Sequence, residues 1–319
     1  MHWIGPNVPG RPSETLISGH TPAIAMVERP RYSGIFERIG REHGWAQSPI
    51  SDRYRELIAR EQLPFLDGPV APRAREFASP GEAREWAIGL AFGLGADLAA
   101  TTWVREDWTF QGREVRGRWA VMLATRMDHG AIMSAPSLRA GAEATRAYYA
   151  LGGVAVNLAR AMRAAGHPAV AQHPRYTEGN WSGMLFVPHA VAAGMGRLGR
   201  SGLLLTDVYG PCVRLAAVTT ELELAPDGPE DPDLHPACML CVLCREACGN
   251  RAIPEQRTLV RGVRKCQLDA DACAPLFARW DGCGACIAAC PLMQLYPEEL
   301  RAVRPRTPAP ADGGDAPVP

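Results

Sequence analysis

"CMLCVLCREACGN" occupies residues 238–250 and spaces Cys238, Cys241, Cys244 and Cys248 by two, two and three intervening residues. "CGACIAACP" follows at residues 283–291, giving Cys283, Cys286, Cys290 and then Pro291. C-x2-C-x2-C-x3-C is an iron–sulfur run, and in two-cluster ferredoxins its fourth cysteine ligates the other cluster. Three closely spaced thiolates in a loop wrap one face of a cube. The fourth, at the start of the following helix, lies beyond reach of that cube. The spacing therefore predicts two [4Fe–4S] clusters. Cys238, Cys241 and Cys244 hold the first, with Cys290 crossing back to complete it. Cys248 crosses the other way and joins Cys283 and Cys286. For the eighth ligand the choice is Cys266 in "VRKCQLD", with Cys273 in reserve. A leftover cysteine is ordinarily a small buried hydrophobe, the reading given to Cys273 and Cys212. Zinc held by the pairs Cys241/Cys244 and Cys283/Cys286 is the alternative. Gly249 stands where the first run's pattern has Pro, a minor departure.

Working outward, the other residues argue against a disulfide scaffold. No cysteine precedes Cys212, and nine of the ten lie between Cys238 and Cys290. Disulfide frameworks spread cysteines through short secreted chains. The 319 residues are 47% hydrophobic and 21% charged, with a formal net charge of +0. That length supports a sizeable core and two domains, and the balance is unlike the basic excess of a nucleic-acid binder. No apolar run reaches the roughly 18 residues of a membrane span. "MHWIGPNVPGRPSETL" shows no charged region followed by an apolar stretch. A cytoplasmic protein is expected.

Residues 1–80 form a Pro/Arg-rich segment with short helical stretches. Ser79 is the expected N-cap of a helix in "SPGEAREWAIGLAFGL", with Pro80 in the first turn and Glu82 at capping-box distance. "RWAVMLATRM" reads as a buried strand. A long helix is predicted from Ser137 to Ala165, with the stripe Tyr148, Leu151, Ala155, Leu158 and Met162, capped by Gly166 and stopped by Pro168. "PAVAQ" is a short strand and "PHAVAAGMG" a short helix. "GLLLT" and "VRLAAVTTELEL" read as strands paired across the turn "DVYGP". The mixture is an α+β or α/β domain over residues 81–228. A linker, "APDGPEDPD", leads to the cluster domain at 229–300 and a Pro/Gly-rich tail, expected to be disordered, at 301–319.

A cluster module fused to a larger domain implies that electrons pass to something bound there. Gly194, Gly196, Gly199 and Gly202 would let a bound group approach the backbone closely. Gly194, Gly196 and Gly199 do spell G-x-G-x-x-G, but after a helix and before a strand, the reverse of the dinucleotide-binding context.

The stretch "AAGMGRLGRSGLLLTDVYGPCVRLAAVTTELEL", followed by the two cysteine runs and a lone cysteine between them, resembles the corrinoid-dependent reductive dehalogenases and their relatives, the epoxyqueuosine reductases. The resemblance covers residues 80–297, and "VERPRYSGIFERIG" extends it toward the N-terminus. It implies an α+β fold with a nitroreductase-like core, a base-off cobalamin bound there, and a ferredoxin-like domain whose two [4Fe–4S] clusters feed it electrons. It also supports Cys266 as the eighth ligand. The expected corrinoid-binding residues are Gly194, Gly196, Gly199, Arg200, Gly202, Thr206 and Gly210. D-x-H-x-x-G, the motif of a His-ligated corrinoid, is missing; "DLHPAC" ends in Cys238.

The dehalogenases share a catalytic tyrosine on the helix that here ends "MRAAGHP", and Tyr148 or Tyr149 falls at the matching place. Their arginine in G-x-x-V-R is Arg214. Tyr148 is taken as proton donor and Arg214 as its partner: a tyrosine can donate a proton in a reductive step, and a guanidinium favours the tyrosinate left behind. The bland readings are a core tyrosine and a strand-surface arginine. The implied function is reduction of an organohalide by Co(I), with electrons from an external donor such as ferredoxin or flavodoxin. Epoxyqueuosine reduction, which uses an acidic residue and docks tRNA, is the runner-up. A non-catalytic electron carrier or corrinoid-reducing protein is the third reading. The family's Gly-Asn-Asp stretch is reduced to "EGNWSG" with Asn180.

Overall fold

A computed structural model describes residues 48–109, 114–173, 183–228, 234–260 and 263–301. "VERPRYSGIFERIG", Asn180 and the tail beyond 301 lie outside them. Helices α1 (Pro49–Glu61) and α2 (Pro80–Gly93) precede strands β1 (Leu98–Trp103) and β2 (Trp119–Arg126). A short α3 (His129–Met133) leads into the long α4 (Leu138–Ala164). Then come β3 (Ala169–Gln172), α5 (Phe186–Ala192), two-residue strands β4 (Arg197–Leu198) and β5 (Leu204–Leu205), and β6 (Val213–Thr220).

The main sheet runs β1-β2-β6-β3, every pair antiparallel. Its period of two builds two cores. Val121 and Leu123 of β2, with Ala216 and Val218 of β6, meet Leu151, Ala155, Leu158 and Met162 of α4 and Ala83, Ala87 and Ala91 of α2. Ala120, Met122 and Ala124, with Val213 and Ala217, face the other way, toward Ala190, Val191 and Ala192 of α5. The result is three layers, helix on sheet on helix, an α+β arrangement as the sequence predicts.

The helix ends follow their capping chemistry. The Ser79 hydroxyl accepts from the Glu82 amide at 3.2 Å, and the Glu82 carboxylate accepts from the Ala78 amide at 2.7 Å. At the end of α4, Gly166 takes φ +85. Its amide donates to the Arg163 carbonyl and that of His167 to the Met162 carbonyl, both at 3.0 Å, a Schellman motif. A Cβ there would stand 2.4 Å from the Arg73 carbonyl oxygen.

One expected pairing is not formed. β5, the heart of "GLLLT", pairs with β4, and "VRLAAVTT" enters the main sheet as β6 between β2 and β3. Only the bridge Thr206–Gly210 joins the two sides of the "DVYGP" turn. The turn reverses the chain, but the central sheet offers β6 an eight-residue neighbour in β2 and a four-residue one in β3, where β5 could offer two residues.

The cysteine-rich part is a succession of short elements: α6 (Leu243–Glu246), the hairpin β7 (Thr258–Val260) and β8 (Val263–Lys265), α7 (Ala270–Arg279) and α8 (Ala285–Ala288). Ile287, Met293 and Tyr296 plug it into the second core, and the Tyr296 hydroxyl donates to the Met127 carbonyl at 2.8 Å. Arg55 of α1 pairs with the buried Asp281.

Candidate functional site

The ten cysteines form no disulfide, and nine of them lie in the cysteine-rich part. Their thiols divide into neighbourhoods. Burial pushes the Cys244 thiol up to about 11, and Cys238, Cys290 and Cys241 add to the effect as its charged neighbours. Cys290 is raised by burial and then by Cys238 and Cys241. Cys238, Cys241, Cys244 and Cys290 are thus neighbours of one another, whereas their ligation of one cluster belongs to the proposal below. On the other side, burial and then Cys273, Cys283, Cys244 and Cys248 raise Cys286 to about 12. Cys273, raised to about 11 chiefly by burial, feels Cys248 and Cys283.

Cys286 thus has Cys273, Cys283, Cys244 and Cys248 about it, and Cys273 has Cys248 and Cys283. For the eighth ligand the sequence favours Cys266 with Cys273 in reserve; of the two, Cys273 is the one beside Cys248, Cys283 and Cys286. Cys266 is buried beside Arg200, whose Nη1 lies 3.6 Å from its sulfur, and its thiol neighbour is Cys238. Cys273 reaches these thiols because α7 carries it back over the loop that follows α6: the Asn250 side chain donates to the Ala272 carbonyl at 2.8 Å. Among the described residues no three His, Cys, Asp or Glu side chains converge on one ion position.

The glycine-rich segment serves its own backbone more than the sequence suggests. A Cβ on Gly196 would stand 2.2 Å from the Leu205 carbonyl oxygen, and one on Gly210 2.6 Å from that of Leu292. At Gly199 it would press on the Leu205 side chain at 3.0 Å. Gly194 has φ +75 at the exit of α5. These glycines close the β4–β5 hairpin and seat it against the cysteine-rich part. Thr206 is likewise used internally, donating to the Gly210 carbonyl at 3.1 Å and accepting from the Tyr209 amide at 3.0 Å. Gly202, with φ +79, has nothing within 4 Å of a Cβ position. Arg200 points at the first cysteine loop, donating to the Cys241 and Cys238 carbonyls at 2.8 Å.

Tyr148 and Arg214, which stand 66 residues apart in the chain, are brought together. α4 lies across β6, and the Arg214 guanidinium carbon sits 5.2 Å from the centre of the Tyr148 ring. Tyr148 is half-buried, outside the sealed stripe formed by Leu151, Ala155, Leu158 and Met162. The Arg214 Nε is buried without a hydrogen-bond partner. Tyr149 turns to α1: its ring centre lies 5.5 Å from that of Tyr54, and its hydroxyl donates to Glu61 at 3.0 Å. On the same helix, buried Glu143 accepts from Arg146 at 2.7 Å and from the Asp128 amide at 2.6 Å. Cys212 is fully buried, its thiol driven up to about 12 mainly by burial and then by Glu143.

No family model matches the chain. Over 184 residues, 53% of its length, it is 34% identical to the tetrachloroethene reductive dehalogenase of Dehalobacter restrictus, covering 32% of that protein. Over 114 residues it is 36% identical to the enzyme of the same name from Sulfurospirillum multivorans, covering 33% of this chain and 23% of the other. The chain thus spans about a third or less of the length of these relatives. Among solved structures, the catabolic reductive dehalogenase NpRdhA superposes with TM-score 0.70 at 21% identity, covering 79% of this chain and 38% of the other. A second reductive dehalogenase, whose structure is linked to B12-dependent dehalogenation, gives TM-score 0.65 at 20% identity over 76% of this chain and 36% of that one. At such identities the likeness is one of fold. No helix among the described residues is long and apolar enough to cross a membrane. The chain is therefore similar to the reductive dehalogenases in sequence over about half its length and in fold over most of it, the same family that its cysteine runs and glycine-rich segment resemble.

Proposed function

We propose that the protein is a corrinoid- and iron–sulfur-dependent reductase that removes halide from a small organic substrate. The observation that supports the reading is the meeting of Tyr148 with Arg214 in a fold whose C-terminal part holds nine cysteines, many of them neighbours of one another. Cys238, Cys241, Cys244 and Cys290 would hold one [4Fe–4S] cluster. Cys248, Cys273, Cys283 and Cys286 would hold the other. Gly202, bare and facing open space, is the point of the glycine-rich segment where a bulky cofactor can meet backbone. A corrinoid bound there supplies the low-potential reduction of the carbon–halogen bond.

The net reaction consumes two electrons and one proton and releases halide, with the hydrogen left on carbon. The electrons come from an external low-potential donor of the ferredoxin or flavodoxin class. Tyr148 holds the proton on its phenol oxygen. Arg214 lies over that ring, so its charge offsets the negative charge left when the proton moves. Its unpartnered Nε is a buried donor that a polar substrate group can satisfy. Tyr149 cannot share the role, because its hydroxyl is committed to Glu61.

Epoxyqueuosine reduction is the weaker fit, since the sequence relatives above are named as dehalogenases. The test is anaerobic reconstitution followed by metal analysis and a halide assay. About eight iron and one cobalt per chain are expected. Halogenated phenols and small haloalkenes are the substrates to try, since NpRdhA is solved in complex with 3-bromo-4-hydroxybenzoic acid. No halide from any compound, alongside reduction of epoxyqueuosine in tRNA, would overturn the reading.

A further inference from the structure

Arg200 is a buried cation surrounded by dipoles. It is 6% exposed. Its Nε donates to the Cys241 carbonyl at 2.8 Å, and Nη2 to the carbonyls of Cys238 at 2.8 Å and Met239 at 3.3 Å. Its Nη1 donates to the Glu255 carbonyl at 3.0 Å and lies 3.6 Å from the Cys266 sulfur. Backbone carbonyls and one thiol make up that set, with no carboxylate in it.

A buried charge compensated by neutral groups alone is costly. A thiolate-ligated cluster beside it supplies the missing negative charge. The second thiol set has the opposite surroundings. Asp269 is among the groups that raise Cys273, and buried Asp281 lies two residues before Cys283, its nearest countercharge Arg55 of α1. Net charge and hydrogen bonds to sulfur are the levers by which a protein sets a cluster's potential.

We propose that Arg200 is the positioning residue of the first cluster, fixing the Cys238–Cys241 loop and holding that cluster's reduction potential above the second's. The inference rests on the iron–sulfur reading given above. It follows that the first electron to enter comes to rest on the first cluster. Cys266 then has a role without being a ligand: its sulfur is one of the guanidinium's acceptors.

The test is a redox titration of the reconstituted wild-type protein and of Arg200→Gln, followed by electron paramagnetic resonance with iron counted in parallel. The signal lost in Cys241→Ser identifies the first cluster. In wild type that signal should titrate at the higher potential. In Arg200→Gln, with iron content kept, it should shift to lower potential by at least tenfold in its reduction equilibrium, about 59 mV for one electron. The second signal should stay in place. Equal shifts in both signals, a shift in the second alone, or no shift would overturn the proposal. If Arg200→Gln loses the first cluster, Arg200→Lys is titrated instead. An ammonium keeps the charge but cannot span these acceptors, so a shift in the same direction of about threefold is expected; an unmoved potential overturns the proposal there too. Wild-type protein that takes up no iron would defeat the iron–sulfur reading itself, an outcome distinct from two intact clusters with unmoved potentials.

Discussion

The sheet core and the cysteine-rich part differ in what fills them. Between α4 and the sheet, Leu151, Ala155, Leu158 and Met162 are wholly buried against Val121, Leu123, Ala216 and Val218. Each large apolar side chain sealed there contributes about 1.5–3 kcal/mol. The cysteine-rich part has an apolar cluster of its own with only Ala274 and Ala278 buried in it, packed by Ala270. Its helices α6 and α8 are four residues each, far below the length at which a helix holds itself. The apolar side chains buried there are few, Ile253, Val260, Ile287, Met293 and Tyr296 chief among them, and three of its nine thiols, Cys238, Cys244 and Cys266, are buried with them. The contrast is between a core sealed by apolar side chains and a part whose interior is shared between apolar side chains and thiols.

The largest expected effect attacks the second kind of core. Cys273→Ser should cut iron from about eight to about four per chain, leaving the helix and sheet signal in far-UV circular dichroism largely intact. Cys266→Ser should keep the iron. The reverse pattern would restore the sequence assignment and break the thiol grouping. Leu158→Ala attacks the first kind. A fully buried leucine cut to alanine costs about 2–5 kcal/mol, measured by denaturant unfolding, with iron loading unchanged under native conditions. If Leu158→Ala also empties the clusters, the two halves are one cooperative unit and the contrast is too sharp.

What was legible in the sequence follows the same divide. Ser79, Gly166 and the α4 stripe announce themselves because caps and periodicity are local. The β5 pairing misled, because a two-residue strand has no periodicity to read and its partner β4 lies in what looks like a glycine loop. Spacing does not distinguish Cys266 from Cys273, because where Cys273 lies depends on the packing of α7 against the loop after α6. Gly196 and Gly210, read as room for a ligand, have neighbouring backbone where a Cβ would stand. Arg200, read as a corrinoid residue, donates into the first cysteine loop. Its acceptors lie 38 to 66 residues downstream, a separation no local pattern encodes. Tyr148 and Arg214 were singled out through family resemblance, and the structure adds that they touch.

That contact yields a smaller but more specific prediction. Tyr148→Phe should keep iron and corrinoid loading and lower turnover by roughly 10²-fold, about 2.7 kcal/mol, the scale of a lost general acid. Arg214→Leu should slow turnover in the same direction. Unchanged halide release in Tyr148→Phe would mean that the proton comes from water or another group.

The smallest effect belongs to the neighbouring tyrosine and separates position from chemistry. Tyr149→Phe removes one hydroxyl bonded to the partly exposed Glu61, so its cost at neutral pH should be about 1 kcal/mol or less, with turnover unchanged. The pH dependence gives the source away. Burial first, then the bond to Glu61, hold the Tyr149 phenol up at about 12, against about 10 in an unfolded chain. The neutral form is the one the fold favours. Its stabilisation is therefore complete below about pH 10, because neither state has yet lost the proton, and drains away as pH climbs toward 12. Wild type and Tyr149→Phe should differ by a constant amount up to about pH 10, and their unfolding curves should converge between there and about 12. Other tyrosines ionise equally in both proteins and cancel in the difference. Curves that stay parallel across that range would show that Tyr149 packs its ring on Tyr54 without relying on its hydroxyl. A loss of turnover in Tyr149→Phe but not in Tyr148→Phe would move the proton donor one residue along α4 and undo the pairing with Arg214.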